Sequence, residues 1–517
     1  MATTRTIDDL CFDPRLAAAA LPAPAYADGD DAAEAQAAEA LSRLARQLGW
    51  ADADDGAGAD EGAGAGNGAD ADGRGAFARV IPPGARVLVK PNFVTHENAG
   101  PWGMLPLVTH GSVVRAAVAE ALRAAPSEVL VGDAPIQGCD FAELLKRTRL
   151  DAWADELRAR EPRFKGVRDF RRTTSVFVGG VRVAEENKVS ADRFVLFDLG
   201  ADSLLEPVTD RRESFRVTCY DPRQLARTHA PGRHQYLVAR EVIEADVIIN
   251  LPKLKTHKKA GVTCALKNLI GINGNKEYLP HHRVGGAAAG GDCYAGQSRI
   301  KNTLEFFADR QNTTESFARA KVWRALSRPL FRTLRALGES LDLEGSWSGN
   351  DTIWRTCLDL NRVLLYGRAD GTLADRPQRK VLHVVDAVVA GQGDGPLAPQ
   401  PLPLGLMFAG SNAAAVDWAG AHLLGYDPAR ITVAREAFGE FRWPLTRFAR
   451  RDITIGGDLG DGAADELLPA ARNSGPVIYP AGWRDAVAAT TGGARSAARN
   501  FGDETAPPAP PARANAS

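Results

Sequence analysis

The sequence predicts an α/β protein with a mixed, largely parallel sheet flanked by helices, together with an inserted helical region and disordered low-complexity segments. Three observations favour this class. Residues 86–131 run strand, helix, strand, a βαβ unit that requires a parallel pair with a right-handed crossover. Val247-Ile248-Ile249 is a short apolar run typical of a strand buried on both faces. Lys380–Val389 is a second apolar strand, and a helix follows it at Ala413–Leu424.

The elements follow from periodicity and from turn residues. Apolar residues with helical spacing predict a first helix at Asp31–Leu48, whereas Ala51–Gly75 is almost entirely Ala, Asp and Gly and is expected to be disordered because it has nothing to bury. Pro91 ends the strand Arg86–Lys90, and Asn412 is expected to cap the helix at Ala413. The other predicted elements are the helix opened by His110-Gly111-Ser112, the strand Glu128–Val131, the helix Phe141–Leu157, the strands Thr174–Val183 (a hairpin through Gly179-Gly180) and Arg193–Leu199, the helices Arg240–Glu244, Ile300–Arg310, Glu315–Leu341 and Thr352–Leu365, and the strand Leu404–Ala409.

The chain of 517 residues is long enough for two or three structural units. The predicted organisation is an N-terminal extension at 1–77, a first part of the α/β core at 78–297, an inserted helical region at 298–370, a second part of the core at 371–480 and a disordered tail at 481–517.

Composition excludes several classes of function. The net charge of -1 argues against a general nucleic-acid or anionic-membrane binder. No apolar run is long enough to span a membrane, and the first residues contain no signal peptide, so a cytoplasmic location is expected. The six scattered cysteines form no C-x-x-C, which is typical of a reducing compartment and predicts no iron–sulfur cluster. The oligomeric state is left open.

The segment Asp246–Gly274 carries the main functional signal. Pro252 is expected to end the buried strand, so that a loop rich in lysine follows it at the carboxyl end of the sheet, where ligands bind in open α/β proteins. These cationic residues, with no acid among them, predict a pocket for a phosphate or carboxylate: Lys253, Lys255, His257, Lys258, Lys259 and Lys267. The alternative is an ordinary solvated face.

Carboxylates and histidines supply further candidates. Asp133, Asp386 and Asp394 follow or interrupt strands, and Asp417 lies within a helix, so they are candidates for an Mg²⁺ site or for proton transfer. The alternative is that Asp394 forms a turn and Asp417 bonds to a loop. His257 is the preferred acid/base residue, and His281-His282 lie in a long loop, 275–297, that is expected to close over the site. No zinc spacing, P-loop or dinucleotide fingerprint is present.

Several separated motifs resemble one known family. They are V-L-V-K-P-N (87–92), I-I-N-L-P-K-L-K-T-H (248–257), K-N-L-I-G (267–271), V-V-D-A-V-V-A-G-Q-G-D-G-P (384–396) and A-A-V-D-W (414–418). Together they resemble the domain of unknown function 362 family over roughly residues 80–430. The segments K-E-Y-L-P-H-H-R (276–283) and G-N-D-T-I-W-R (349–355) look like a bacterial subgroup with an inserted helical region. The resemblance implies an α/β domain with a shared site but no known reaction.

The leading hypothesis is an enzyme that acts on a small anionic substrate at the strand ends. The candidate catalytic residues are His257, Lys255 and Asp386. The candidate substrate-binding residues are Lys90, Asn92, Lys253, Lys267, Asn268, His281 and His282. The candidate metal ligands, for Mg²⁺, are Asp133, Asp394 and Asp417. One alternative is a non-catalytic binder of an anionic metabolite or glycan precursor. Another is a cofactor-dependent redox protein, because some relatives are fused to iron–sulfur modules.

Overall fold

The structure is a computed structural model and describes residues 5–52, 75–178, 181–187, 189–210, 213–341, 343–470 and 476–487. These residues lie in one compact unit that extends to Val487. Most of the predicted disordered insertion, the turn at Gly179-Gly180 and the predicted tail from residue 488 onwards lie outside the described residues. Within the described ranges, no helix is both long and apolar enough to cross a membrane.

The strands and helices alternate along most of the chain. The strands are β1 Arg15–Ala20, β2 Arg86–Pro91, β3 Glu128–Asp133, β4 Phe164–Asp169, β5 Thr173–Val178, β6 Val181–Asn187, β7 Phe194–Asp198, β8 Phe215–Arg216, β9 His229–Ala230, β10 Arg233–Ala239, β11 Val247–Leu251, β12 Lys253–His257, β13 Gly261–Thr263, β14 His282–Arg283, β15 Lys380–Asp394, β16 Ala398–Gly410, β17 Thr454–Gly457 and β18 Gly462–Ala463. The helices are α1 Ile7–Cys11, α2 Asp30–Leu48, α3 Gly111–Arg123, α4 Phe141–Arg147, α5 Asp151–Arg160, α6 Pro222–Thr228, α7 Arg240–Glu244, α8 Ala265–Asn268, α9 Arg299–Thr313, α10 Phe317–Ala336, α11 Ile353–Tyr366, α12 Ala413–Leu423, α13 Thr432–Glu436 and α14 Ala464–Ala470.

An 11-stranded mixed sheet forms the centre of the fold, in the order β18-β17-β1-β16-β15-β11-β2-β3-β4, with β12 pairing with β13 and β15. Strands β15, β11, β2, β3 and β4 run parallel, which confirms the predicted α/β class and its βαβ unit. Side chains of β11 alternate between the two faces, with Ile248 in one apolar core and Val247 and Ile249 in the other. Helices α2 and α3 cover one face, and α11 and α12 cover the other.

The N-terminal residues belong to the body of the fold, which differs from the predicted start near Ala78. Strand β1 pairs antiparallel with β16 and parallel with β17, so it is an interior strand of the sheet. Its sequence, R-L-A-A-A-A, has little intrinsic preference for strand. The segment forms a strand because it pairs with a neighbour on each side. At the other end, the start of the predicted tail is ordered, because Trp483 is buried and its indole donates to the Lys258 carbonyl.

The predicted lysine loop is instead mostly strand. Pro252 does not end the extended chain: its carbonyl accepts from the Asp386 amide, and β12 continues alongside β15 with Lys253 opposite Asp386. All five residues of β12 are buried. A proline removes only one N–H from the ladder. At this residue the chain leaves β11, which pairs with β2 and β15, and enters β12, which pairs with β13 and β15.

The segment 275–297 is also more ordered than the predicted lid. It contains short 3₁₀ turns at Lys276–Tyr278 and Ala287–Ala289 as well as β14. Thr356 donates to the Pro280 carbonyl at 2.7 Å, and the Asn350 side chain donates to the His281 carbonyl at 2.9 Å. Polar side chains of residues 350 and 356 therefore help to hold this segment in place.

Helix boundaries follow the prediction closely elsewhere. Asn412 caps α12 through the Ala414 and Ala415 amides, as predicted. The helix predicted at Phe141–Leu157 is two helices, because Arg149 between them adopts a left-handed backbone with φ of 55°.

Candidate functional site

Three parallel strands end side by side at the candidate site. Strands β11, β2 and β3 are neighbours in the sheet, and their carboxyl ends bring together Leu251, Pro91 and Asp133. Lys90 and Asn92 flank the end of β2, and Lys253 follows the end of β11. The short helix α8 carries Lys267 and Asn268 to the same place, because Asn268 bonds to the side chains of Lys90 and Asn92. The predicted convergence of these residues at one sheet edge is therefore present.

The deepest pair is Lys90 with Asp133. The ammonium lies 2.7 Å from Asp133 Oδ1, and both side chains are buried. Lys90 also donates to Asn268 Oδ1 at 3.1 Å, and Asp133 accepts from the Phe93 amide at 2.6 Å. Burial lowers the pKa of Lys90 and raises the pKa of Asp133, while each partner's charge opposes the shift. This pair is internally satisfied.

Amide side chains extend this network to Lys255. Asn92 donates to Asn268 Oδ1 at 2.8 Å and accepts from Lys255 Nζ at 2.8 Å. Lys255 also donates to the Leu107 carbonyl. Among the described residues it has no carboxylate partner of its own, and burial together with the charges of Lys253 and Lys267 holds its pKa well below the usual lysine range. Asn268 in turn donates to Asn250 at 2.7 Å.

The third buried lysine, Lys253, pairs with Asp386. The ammonium lies 2.9 Å from Asp386 Oδ2, and both side chains are 0 % exposed. Tyr26 joins the pair, accepting from Lys253 at 2.9 Å and donating to Asp386 Oδ1 at 2.5 Å. The His110 amide also donates to Asp386, and the His110 ring stacks on Tyr26 with centroids 3.7 Å apart. Burial and the Asp386 charge raise the pKa of Tyr26 well above 10.

These groups form a paired layer beneath the site, which we call the base network. Its members are Lys90, Asn92, Asp133, Lys253, Lys255, Asn268 and Asp386. Buried charges of this kind require partners. Here Lys90 pairs with Asp133, and Lys253 pairs with Asp386. Sequence reasoning missed Tyr26 and His110 because neither lies near a recognisable motif.

Lys267 differs from the lysines of the base network. Among the residues that the structure describes, its ammonium has neither a hydrogen-bond acceptor nor a carboxylate partner. Its side chain remains partly accessible, and burial lowers its pKa below the usual lysine value, with Lys259 and Lys90 adding to this effect. Lys267 is therefore a desolvated cation that keeps partial access to solvent.

The Lys267 charge acts on several neighbouring cationic or imidazole groups, among them His257, His281 and Lys276. We refer to these three side chains together with Lys267 as the recess. Burial holds the pKa of both histidines well below 6.5, and the charges of Lys259 and Lys267 depress it further, so both rings are neutral at pH 7. Burial and the neighbouring lysines lower the pKa of Lys276 to about 7, although Asp133 opposes this shift.

The two histidines of the recess hold their protons on opposite nitrogens. His257 Nδ1 accepts from the Lys259 and Ala260 amides at 3.0 and 3.2 Å, which places the proton of the neutral ring on Nε2. His281 Nδ1 lies 2.6 Å from the Leu279 carbonyl, which places its proton on Nδ1 and leaves Nε2 as an acceptor. One ring therefore presents a donor and the other an acceptor, as general acid–base chemistry requires.

Asp417 positions the helix that carries Lys267. Its Oδ1 accepts from the Leu266 amide in the first turn of α8 at 3.0 Å, while Oδ2 is buried without a partner among the described residues. Burial raises the pKa of this carboxyl to about 7. Asp417 therefore acts through Lys267 and Asn268.

We expect Asp417→Asn to stabilise the protein at alkaline pH. Between about pH 4 and pH 7 the folded state holds a proton that the unfolded state has lost, so stability falls as pH rises through this window. Asparagine removes this dependence. The free energy of unfolding of the variant, relative to wild type, should rise by roughly 3 kcal/mol between pH 4.5 and 8.5, since each pKa unit is worth about 1.4 kcal/mol and the window covers between two and three units. Chemical denaturation of both proteins at pH 4.5 and pH 8.5 measures this difference in the free energy of unfolding. A difference between Asp417→Asn and wild type that stays constant from pH 4.5 to pH 8.5 would contradict the expectation.

The predicted magnesium ligands are not brought together. Asp133 pairs with Lys90, Asp417 binds the start of α8, and Asp394 is exposed and lies 3.4 Å from Lys258. Within the described parts of the chain, they form no group of three acidic, histidine or cysteine ligands close enough to share an ion. His282 faces a different set of neighbours from His281 and contacts none of the base network through a hydrogen bond.

Comparison with known proteins gives a family and two distant structures. Residues 179–422 match the model of a family described as Domain of unknown function (DUF362). A crystal structure of a protein from Thermotoga maritima is 10% identical, with a TM-score of 0.29, over 76% of this chain and 60% of that one. The lactate racemase apoprotein from Thermoanaerobacterium thermosaccharolyticum is 11% identical, with a TM-score of 0.23, over 66% of this chain and 48% of that one. The chain thus spans about half to three fifths of their length. No curated protein matches it.

Proposed function

We propose that the protein is an enzyme that transfers a proton on a small phosphate- or carboxylate-bearing substrate bound in the recess. The proposal rests on the site itself, because the family whose model matches residues 179–422 is described only as a domain of unknown function and names no reaction. The observation that carries this proposal is the Lys267 ammonium, which has no carboxylate partner among the described residues and whose charge acts on two neutral imidazoles of opposite tautomer. The six cysteines are free, which fits a reducing cytoplasm.

Each residue of the recess has a part in this proposal. Lys267 holds the anionic group of the substrate and stabilises negative charge that develops during the reaction. His257 donates a proton from Nε2, and His281 accepts one at Nε2. Lys276 adds a second cation when it is protonated, while its Nζ is held by the Ala134 carbonyl at 2.9 Å. The base network fixes α8 and β12 beneath them.

Binding is tested by anion titration. Phosphorylated and carboxylated metabolites are screened by thermal shift, and the dissociation constant of each hit is measured for wild type and for two variants. Lys267→Met should weaken binding about 10- to 100-fold, because it removes a charge-assisted hydrogen bond. Lys258→Met should leave affinity unchanged, since Lys258 faces Asp394 at the surface. Affinity should also fall between pH 6 and pH 8 as Lys276 loses its proton. Equal affinity in wild type and Lys267→Met would refute the site.

Catalysis is tested separately by solvent exchange. Each bound compound is incubated with the protein in D₂O, and the gain of deuterium at carbon is followed by NMR. An enzyme of the proposed kind exchanges a proton at a rate that falls at least about 100-fold in His281→Gln, consistent with loss of a general base. Tight binding without exchange of any compound would identify a binding protein, the alternative function, and would reject the enzyme.

A further inference from the structure

A second group of functional side chains includes His282, the neighbour of His281 in the sequence. His282 is on β14, Cys293 is in the loop that follows, and Glu305 is on α9. One potential ligand atom from each of the three side chains lies within 4.8 Å of the others. The spacing along the chain, eleven and twelve residues, matches no local metal-binding motif, so the sequence alone does not reveal the group.

The three side chains are largely buried, and residues outside the group hold two of them. His282 is 5% exposed, and its Nδ1 has no hydrogen-bond partner among the described residues. Both oxygens of Glu305 accept from the Gly285 amide, at 3.0 and 3.2 Å, which fixes the carboxylate. Cys293 Sγ accepts from the Glu344 amide at 3.1 Å. A buried imidazole nitrogen without a partner is uncommon and calls for a ligand.

We propose that His282, Cys293 and Glu305 bind a Zn²⁺ ion. The set combines imidazole nitrogen, thiolate sulfur and carboxylate oxygen, all three of which are zinc donors, whereas Mg²⁺ and Ca²⁺ prefer oxygen alone. Zinc bonds of about 2.0–2.3 Å in a tetrahedron place ligand atoms roughly 3.3–3.8 Å apart. Side-chain movements of about 1 Å would bring the three ligand atoms from their present separation to that spacing.

Open space adjoins the three side chains. His282, Cys293 and Glu305 line a cavity of about 370 Å³, together with Arg216, Cys219 and other residues of β8, α9 and α10. Three protein ligands with a free position toward a cavity are the arrangement of catalytic zinc sites, in which water or substrate takes the fourth place. The zinc site is therefore distinct from the recess, although His281 and His282 are adjacent in sequence.

Cobalt binding tests this proposal on the full-length protein. The chain is stripped of metal with a chelator, and Co²⁺ is added stepwise while the spectrum is recorded. One equivalent should give a thiolate-to-cobalt charge-transfer band and the intense visible bands of tetrahedral cobalt, and Zn²⁺ should abolish both. Failure of the wild-type protein to develop a charge-transfer band would overturn the proposal without any variant.

Two cysteine variants locate the site. Cys293→Ser should lose the charge-transfer band and bind metal at least about 100-fold more weakly, since even loss of an outer-shell partner costs 10- to 100-fold. Cys219→Ser is the matched control, because Cys219 lines the same cavity but lies outside the ligand group, and it should keep the band. A band lost in Cys219→Ser and kept in Cys293→Ser would overturn the assignment. Should Cys293→Ser not fold, His282→Gln must show the same weakening, and unchanged affinity there would reject the site.

Discussion

Replacing Asp386 with alanine is expected to lower the free energy of unfolding by about 3–5 kcal/mol. The substitution leaves the Lys253 ammonium buried without its counter-ion and removes the acceptor of the Tyr26 hydroxyl. An unpaired charge inside a protein is far more costly than the loss of the pair as a whole, because nothing replaces its hydration. Urea titration, followed by intrinsic fluorescence, measures the effect as a fall in the midpoint at constant slope.

Two comparisons separate this effect from a general loss of contacts. In the double variant Lys253→Met/Asp386→Leu both charges are absent, so at least half of the lost stability should return. Glu143→Ala breaks the exposed pair with Arg147 and should cost less than about 1 kcal/mol. If Asp386→Ala unfolds within 1 kcal/mol of wild type, the pair does not carry the stability assigned to it.

Replacing Gly271 with alanine is expected to cost about 3 kcal/mol or more. A Cβ atom at this position would lie 1.9 Å from Asp133 Oδ1 and 2.7 Å from Lys90 Nζ, closer than real contacts allow. The backbone at Gly271 is also held, because its carbonyl accepts from the Ala134 amide at 2.8 Å. The added methyl group must therefore separate the buried Lys90–Asp133 pair, which adds lost pairing to ordinary overpacking.

The matched control for Gly271→Ala is Gly462→Ala. The nearest atom to a Cβ at Gly462 is a methyl group of Leu467 at 3.3 Å, at the end of a flexible side chain. Thermal unfolding of both variants should show a large fall in Tm for position 271 and a change of at most about 2 °C for position 462. Equal Tm values would mean that the Lys90–Asp133 pair moves without cost.

Much of the fold could be predicted from local signals. Alternation of apolar strands and an amphipathic helix predicts the βαβ unit from Arg86 to Asp133, and Asn412 marks the start of α12 by ordinary capping chemistry. Placing Lys90, Asn92 and Lys253 at one sheet edge follows from parallel strands ending together, whereas Asp386 lies inside β15 and meets Lys253 through the pairing of β12 with β15. These inferences need only periodicity and the rules of strand connection.

The pairing of the charges could not be predicted in the same way. Motif order brings lysines and aspartates together but does not say which lysine finds a partner, and that depends on distances of a few ångströms. Lys253 and Lys267 look alike in sequence, yet only Lys253 has a carboxylate beside it. The strand β12 was missed because Pro252 suggested an end to the ladder, and the His282 group was missed because its members come from separate elements.

The alanine-rich strand β1 has a consequence for how the chain can be divided. Its small side chains lie between β16 and β17, where it pairs on both sides. A fragment that starts at Ala78 would leave the edges of both neighbours open to other chains, a known route to aggregation. Strand β1 thus joins β16 and β17 into one sheet. A fragment designed for study in isolation should therefore include this strand.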